Sequence, residues 1–136
     1  MRQDYVILET MSKILIVEDD TSLLRAYMEK LTREGFEVQA AEDGESGLDL
    51  ALKEHPDLIL LDIILPKMSG MDVMKMLRAD EWGNKVPVIV LTNLEADSER
   101  VREITRGEPA YYLVKLNYTI ADVVAKIKEV LAKPRR

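Results

Sequence analysis

Apolar and polar positions along the chain fall into five successive blocks, each a strand pattern followed by a helix pattern. Ile14-Leu15-Ile16-Val17 is an apolar run closed by Glu18-Asp19-Asp20. Leu23, Leu24, Tyr27, Met28 and Leu31 then recur at three- and four-residue spacing, which predicts an amphipathic helix. Asp20, Thr21 and Ser22 are its candidate N-caps, and Gly35 its stop. A short strand is expected over 36–41, with Phe36 and Val38 alternating against Glu37 and Gln39. Asp43-Gly44 reads as a turn. Leu48, Leu50, Ala51 and Leu52 mark a second helix, ending near His55-Pro56. Leu58-Ile59-Leu60-Leu61 runs straight into Asp62, and Ile63-Ile64-Leu65-Pro66 follows. So long an apolar run predicts a strand buried on both faces of a parallel sheet. Ser69 can cap a third helix carrying Met71, Val73, Met74 and Leu77; Trp82-Gly83-Asn84-Lys85 is a loop. A fourth strand over 86–91 ends at Thr92-Asn93, and a strongly charged helix over 97–106 follows. Gly107-Glu108-Pro109 breaks that helix before a fifth strand over 111–114, ended by Lys115. The last helix, 119–131, is amphipathic and opens with Thr119 and Asp122, a capping-box pair.

Strict strand–helix alternation implies an α/β fold: a five-stranded parallel sheet with right-handed crossovers and helices on both faces. At 136 residues, with no repeat or linker, the chain reads as one domain over 12–133. Residues 1–11 read as an N-terminal extension, in which Tyr5-Val6-Ile7-Leu8 leaves room for an accessory strand, and 134–136 as a polar tail. Met11-Ser12-Lys13 would make a natural start.

Composition narrows the chemistry. The net charge of −6 argues against nonspecific nucleic-acid binding, which wants a basic face. There is no cysteine, so disulfides, thiolate metal sites and cysteine nucleophiles are excluded; its absence fits the cytoplasm. No segment is long and apolar enough to span a membrane. No Gly-rich phosphate loop is present to support a flavin or nucleotide enzyme. Ile64 stands where an Asp-x-Asp hydrolase would need its second acid.

In open α/β sheets ligands bind beyond the carboxyl ends of the strands. Those ends carry Glu18 and Asp19, Asp62, Thr92 and Lys115: three carboxylates, a hydroxyl and an ammonium. Clustered carboxylates raise each other's pKa, and a hard divalent cation such as Mg²⁺ relieves the repulsion. Lys115 can pair with a carboxylate or a phosphoryl oxygen, and Thr92 can donate to the same oxygen. An aspartate can act as nucleophile and form an aspartyl phosphate. Taken singly, each residue has a plainer reading: Glu18 and Asp19 as helix N-terminal acids, Thr92 as an N-cap of the fourth helix, Lys115 as a surface charge. Asp62, which interrupts an apolar run, resists one. His55 reads as a surface helix end, and the seven methionines as adaptable core filler.

Lys13-Ile14-Leu15-Ile16-Val17-Glu18-Asp19-Asp20, Asp62-Ile63-Ile64-Leu65-Pro66 with Met68 and Gly70, Val88-Ile89-Val90-Leu91-Thr92, and Tyr112-Leu113-Val114-Lys115 together resemble the receiver domain of bacterial two-component response regulators. The resemblance covers about 13–131. It implies a flavodoxin-like (βα)5 fold with strand order 2-1-3-4-5, and a stand-alone phosphorelay switch rather than an enzyme. Asp62 would accept a phosphoryl group from a sensor histidine kinase or phosphotransfer protein. Asp19 and Asp62 would coordinate Mg²⁺ with the backbone carbonyl of Ile64, Glu18 helping directly or through water. Thr92 and Lys115 would hold phosphoryl oxygens, and Tyr112 would swing inward as Thr92 moves. Phosphorylation would change the surface of helix four, strand five and helix five, and so binding to an unspecified downstream protein, by a monomer or a phosphorylation-dependent dimer. No DNA-binding domain is expected in this chain.

Three features depart from the family pattern. Leu116 follows Lys115 where a cis proline is usual, so either the bond is trans and the loop reshaped, or the bond is cis. The segment before Tyr112 is one residue longer, so Tyr111 competes for the switch role. Ile64 and Leu94, at two variable positions around the phosphoryl group, are apolar and are expected to exclude water. The first two departures keep open a receiver-like binding module that works without phosphate.

Overall fold

The structure, a computed structural model, describes residues 12–94 and 98–133. The N-terminal extension 1–11 with its Tyr5-Val6-Ile7-Leu8 run, the start of the fourth helix at Asp97 and the tail 134–136 lie outside the described residues.

Five parallel strands form one sheet: β1 (Lys13–Val17), β2 (Glu37–Ala41), β3 (Leu58–Leu61), β4 (Val88–Thr92) and β5 (Tyr111–Val114), in the order β2-β1-β3-β4-β5. Helices follow each strand: α1 (Thr21–Arg33), α2 (Gly44–Glu54), α3 (Gly70–Ala79), α4 (Ser98–Thr105) and α5 (Ile120–Ala132). The order explains the strand compositions. Interior strands β3 and β4 are buried at every position, whereas the edge strands β2 and β5 are buried at a single residue each.

Alternation along each strand sends neighbours to opposite faces. Ile14, Ile16, Leu58, Leu60, Ile89, Leu91 and Leu113 pack with α1 and α5. Leu15, Val17, Ile59, Leu61, Val88 and Val90 pack with α2, α3 and Ile104 of α4. A Leu→Ala change in β3 would cost about 2–5 kcal/mol, because both cores close tightly on that strand.

Capping sets where the helices begin. Asp20 accepts from the Ser22 and Leu23 N–H groups at 3.1 and 3.2 Å. Ser69 accepts from Asp72 N–H at 3.2 Å. Thr119 and Asp122 form the reciprocal capping box that their spacing predicted. Gly35, at φ 96°, ends α1 as expected.

Several expectations need correction. Asp43 does not make a free turn with Gly44; it caps α2, accepting from Ser46 N–H at 2.7 Å. β2 begins at Glu37, with buried Phe36 just ahead of it. Leu52 is exposed, because the inward stripe of α2 runs through Gly47, Leu48 and Ala51. The methionines divide: Met74 is core, while Met76 faces solvent on the outer side of α3. Met76 therefore fills no core gap. His55 is indeed an exposed helix end, in the left-handed conformation at φ 48°, and its ring stacks on Trp82 at 4.4 Å.

Candidate functional site

Strand register assembles the site. Val17 pairs with Leu61, so the residues that follow, Glu18 and Asp62, emerge side by side from adjacent strands. Leu61 pairs with Val90 and Thr92 with Val114, which brings Thr92 and then Lys115 to the same edge. All four strand ends singled out by sequence thus converge at the carboxyl edge; Glu42, which follows β2, instead accepts from the Thr21 hydroxyl at the start of α1.

Asp62 is buried although ionisable, and its environment supplies what its charge needs. Oδ1 accepts from the Ile64 N–H at 3.1 Å, and Oδ2 lies 2.7 Å from Lys115 Nζ. The same ammonium lies 2.6 Å from Glu18 Oε1, and Glu18 Oε2 accepts from the Asp20 N–H at 2.9 Å. Lys115 is therefore no surface charge; it bridges two buried carboxylates. Burial pushes the Glu18 carboxyl above its ordinary value, against the opposing pull of the Lys115 ammonium and the Asp20 N–H. For Lys115 burial acts downward, but the hydrogen bonds to Asp62 and Glu18 outweigh it and hold the ammonium above its usual range.

Asp19, exposed on the rim, completes a triad with Glu18 and Asp62 whose ligand oxygens lie within 4.8 Å of one another. Three hard oxygen donors at that spacing suit a hard divalent cation, so the acidic pocket fits a metal ion by its donor set. Gly70 keeps the loop beside it tight. A Cβ there would fall 2.2 Å from the Asp62 carbonyl oxygen, and the Gly70 N–H donates to the Ile63 carbonyl at 2.8 Å.

Thr92 is fully buried, and its Oγ1 accepts from the Leu94 N–H at 3.2 Å. It does not cap a helix, because Asn93 and Leu94, which follow it, are not helical. Tyr112 donates its hydroxyl to the Leu94 carbonyl at 2.8 Å, so both backbone groups of Leu94 are held from the sheet. Burial and the Asp62 charge push the Tyr112 phenol up. Tyr111 points elsewhere, its hydroxyl on Glu129 of α5 and its ring under the Lys126 ammonium. The Lys115–Leu116 bond is trans, and Lys115–Asn117 forms a single 3₁₀ turn that still delivers Lys115 to Asp62. The Ile64 side chain stands 55% exposed, Leu94 is half-buried, and Leu116 is 86% exposed at the same edge.

Sequence reasoning overlooked the Leu94 backbone as the point where Thr92 and Tyr112 meet. Its only signal was position, two residues after a buried strand-end hydroxyl.

Comparisons with known proteins agree with this geometry. The family model described as "Response regulator receiver domain" matches residues 14–130. The transcriptional regulatory protein CpxR of Escherichia coli K12 is 39% identical over 123 residues, covering 90% of this chain and 50% of CpxR. The response regulator MprA of Mycolicibacterium vanbaalenii is 30% identical over 121 residues, covering 89% of this chain and 51% of MprA. The chain thus spans about half the length of these curated relatives. Among solved structures, a CheY-like receiver domain protein from Methanospirillum hungatei superposes with a TM-score of 0.81 at 30% identity, covering 89% of this chain and 94% of that one. The chemotaxis response regulator CheY4 of Vibrio cholerae gives 0.79 at 28% identity, covering 88% and 98%. The chain belongs to the response regulator receiver domain family of two-component systems.

Proposed function

We propose that residues 12–133 form a phospho-accepting switch in which Asp62 takes a phosphoryl group from the phosphohistidine of a sensor kinase or phosphotransfer protein. The observation that carries this is the buried Asp62 carboxylate, held 2.7 Å from Lys115 within an acidic triad that suits a divalent cation. In the transfer, an Asp62 carboxylate oxygen attacks phosphorus. The P–N bond to the donor imidazole breaks, and its electron pair returns to the ring nitrogen. Mg²⁺, held by Glu18, Asp19 and Asp62 with the Ile64 carbonyl, would neutralise phosphoryl oxygens. The Lys115 ammonium and the Thr92 hydroxyl take the remaining oxygens. Tyr112 and Thr92 both engage Leu94, so movement of Thr92 toward the phosphoryl group would alter the β4–α4 loop and, with it, the α4–β5–α5 surface.

The chain works here as a cytoplasmic switch on a downstream protein rather than as a turnover enzyme. The reshaped Lys115–Asn117 turn still presents the ammonium to Asp62, which favours phosphate dependence over a phosphate-independent binding module. Intact-mass measurement after incubation with Mg²⁺ and acetyl phosphate tests the reading. A single phosphoryl adduct is expected, absent in Asp62→Asn. No adduct on the parent chain would instead support the phosphate-independent module.

A further inference from the structure

At the end of the sheet opposite the site, one guanidinium gathers the entrances to two strands. Arg78, in the last turn of α3, donates from Nε to the Gly107 carbonyl at 2.7 Å. Its Nη1 donates to the carbonyls of Gly83 and Val86, both at 2.8 Å. Its Nη2 reaches the Glu108 carbonyl at 3.5 Å, a weak contact at best. Val86 stands two residues before β4, and Gly107 and Glu108 stand just before β5. Burial lowers the pKa of the guanidinium, and the Glu108 charge opposes that shift. Arg78 thus spends its donors on backbone carbonyls in a half-buried setting, an arrangement that suits a planar, rigid fork better than a flexible ammonium.

The Val86, Gly107 and Glu108 carbonyls lie in the lead-ins to the two strands that deliver Thr92, Tyr112 and Lys115. Among the described residues β5 is an edge strand of four residues, bonded in the sheet to β4 alone. Where its lead-in begins fixes how far it slides against β4. The pairing Ile89↔Tyr111 through Thr92↔Val114 depends on that entry, as does the Ala110 N–H bond to the Val88 carbonyl at 2.8 Å. The lead-in also contains Glu108 in the left-handed region at φ 49°, a conformation that a non-glycine residue keeps only when its surroundings hold it. By contrast, Glu18, Asp19 and Asp62 sit at the ends of β1 and β3, and Arg78 bonds to neither strand's lead-in.

We propose that Arg78 is a positioning residue that clips the starts of β4 and β5 together and so holds Thr92, Tyr112 and Lys115 in register with Asp62. This rests on the phospho-acceptor reading for its functional consequence, but not for the clip itself. The test compares Arg78→Lys and Arg78→Met with the parent chain by amide hydrogen exchange, Mg²⁺ titration and phosphorylation with acetyl phosphate. Both variants are expected to exchange faster at 107–114, most at Ala110, with Arg78→Lys between Arg78→Met and the parent. Mg²⁺ affinity should stay at or above the parent value, because a displaced Lys115 competes less for the carboxylates, while phosphorylation slows roughly ten- to hundredfold, as remote misplacement of reacting groups can do. Unchanged exchange at 107–114 would overturn the clip. Loss of Mg²⁺ affinity in parallel with the rate would mean that the whole site had loosened, and would overturn the selective positioning role. Should Arg78→Met fail to fold, Arg78→Lys carries the same comparison. Should the parent chain itself take no phosphoryl group, the phospho-acceptor reading fails while the exchange measurement still decides the clip.

Discussion

The Tyr112 hydroxyl donates to the Leu94 carbonyl, two residues beyond Thr92, whereas the Tyr111 hydroxyl turns to Glu129 on α5. Adjacent tyrosines on one strand thus serve opposite sides of the sheet, and only Tyr112 is tied to the loop after β4. Tyr112→Phe should cost about 0.5–1.5 kcal/mol in urea unfolding, the net worth of one part-buried hydrogen bond. Tyr111→Phe should leave the midpoint nearly unchanged, since its partner is a solvent-exposed carboxylate. Adding beryllofluoride with Mg²⁺ should shift amide resonances on α5 in Tyr111→Phe as in the parent, and less so in Tyr112→Phe. Equal responses from the two variants would remove Tyr112 from the switch.

Acid should weaken the helix caps, with a sign that follows from their pKa directions. Hydrogen bonds from Thr119 hold the Asp122 carboxyl below its ordinary value, and those from Ser46 do the same for Asp43. A depressed folded-state pKa means that the unfolded chain binds more protons, so stability rises with pH. The capping contribution is complete above the unfolded aspartate range, near pH 4, and fades as pH falls through the lower folded value. Asp122→Asn should therefore lower the melting temperature at neutral pH and converge with the parent in acid. A difference constant across the titration would count against the carboxylate as the source.

These residues also mark what a sequence can disclose. Glu18, Asp62, Thr92 and Lys115 were legible because each ends an apolar run, and a parallel sheet sends all such ends to one edge. Arg78 was not. A basic residue in the last turn of a helix already has an ordinary reading as a dipole partner, and its carbonyl acceptors lie 5 to 30 residues away. Asp43-Gly44 was misread because the same dipeptide serves a turn or a helix start. Only the Ser46 N–H falling within reach decides it. Tyr111 and Tyr112 could not be separated by pattern, since both are half-buried on an edge strand.

Ile64 and Leu94 should set how long a phosphoryl group survives. Both present apolar side chains from loops beside Asp62, where polar residues would admit or orient water. Ile64→Asn and Leu94→Glu should each shorten the aspartyl phosphate half-life, by about tenfold if each supplies 1.4 kcal/mol of barrier. Ile64→Asn is the cleaner test, because its side chain is 55% exposed while Leu94 also packs against the core beneath α2 and α3. The decay of the phosphoryl adduct after donor removal, followed by intact mass, gives the answer. Decay no faster than in the parent chain would sink the water-exclusion role.

Lys115 competes with any bound cation for the same carboxylates, lying 2.6 Å from Glu18 and 2.7 Å from Asp62. Lys115→Ala leaves both acids buried and deprives them of that ammonium. Removing one member of a buried ion pair costs about 3–5 kcal/mol, chiefly because the remaining charge stays desolvated. A divalent cation can take over that neutralisation. Mg²⁺ should restore stability to Lys115→Ala more than it raises that of the parent, by up to about 2.7 kcal/mol at a hundredfold excess over Kd. Its affinity for the variant should be no weaker than for the parent. Phosphorylation by acetyl phosphate should nevertheless stay far below the parent rate even at saturating Mg²⁺, because the ammonium is then missing from the phosphoryl oxygens. Urea unfolding with and without Mg²⁺, alongside the phosphorylation time course, separates these effects. Equal stabilisation of the two proteins by Mg²⁺ would show that Lys115 and the cation do not share the carboxylates.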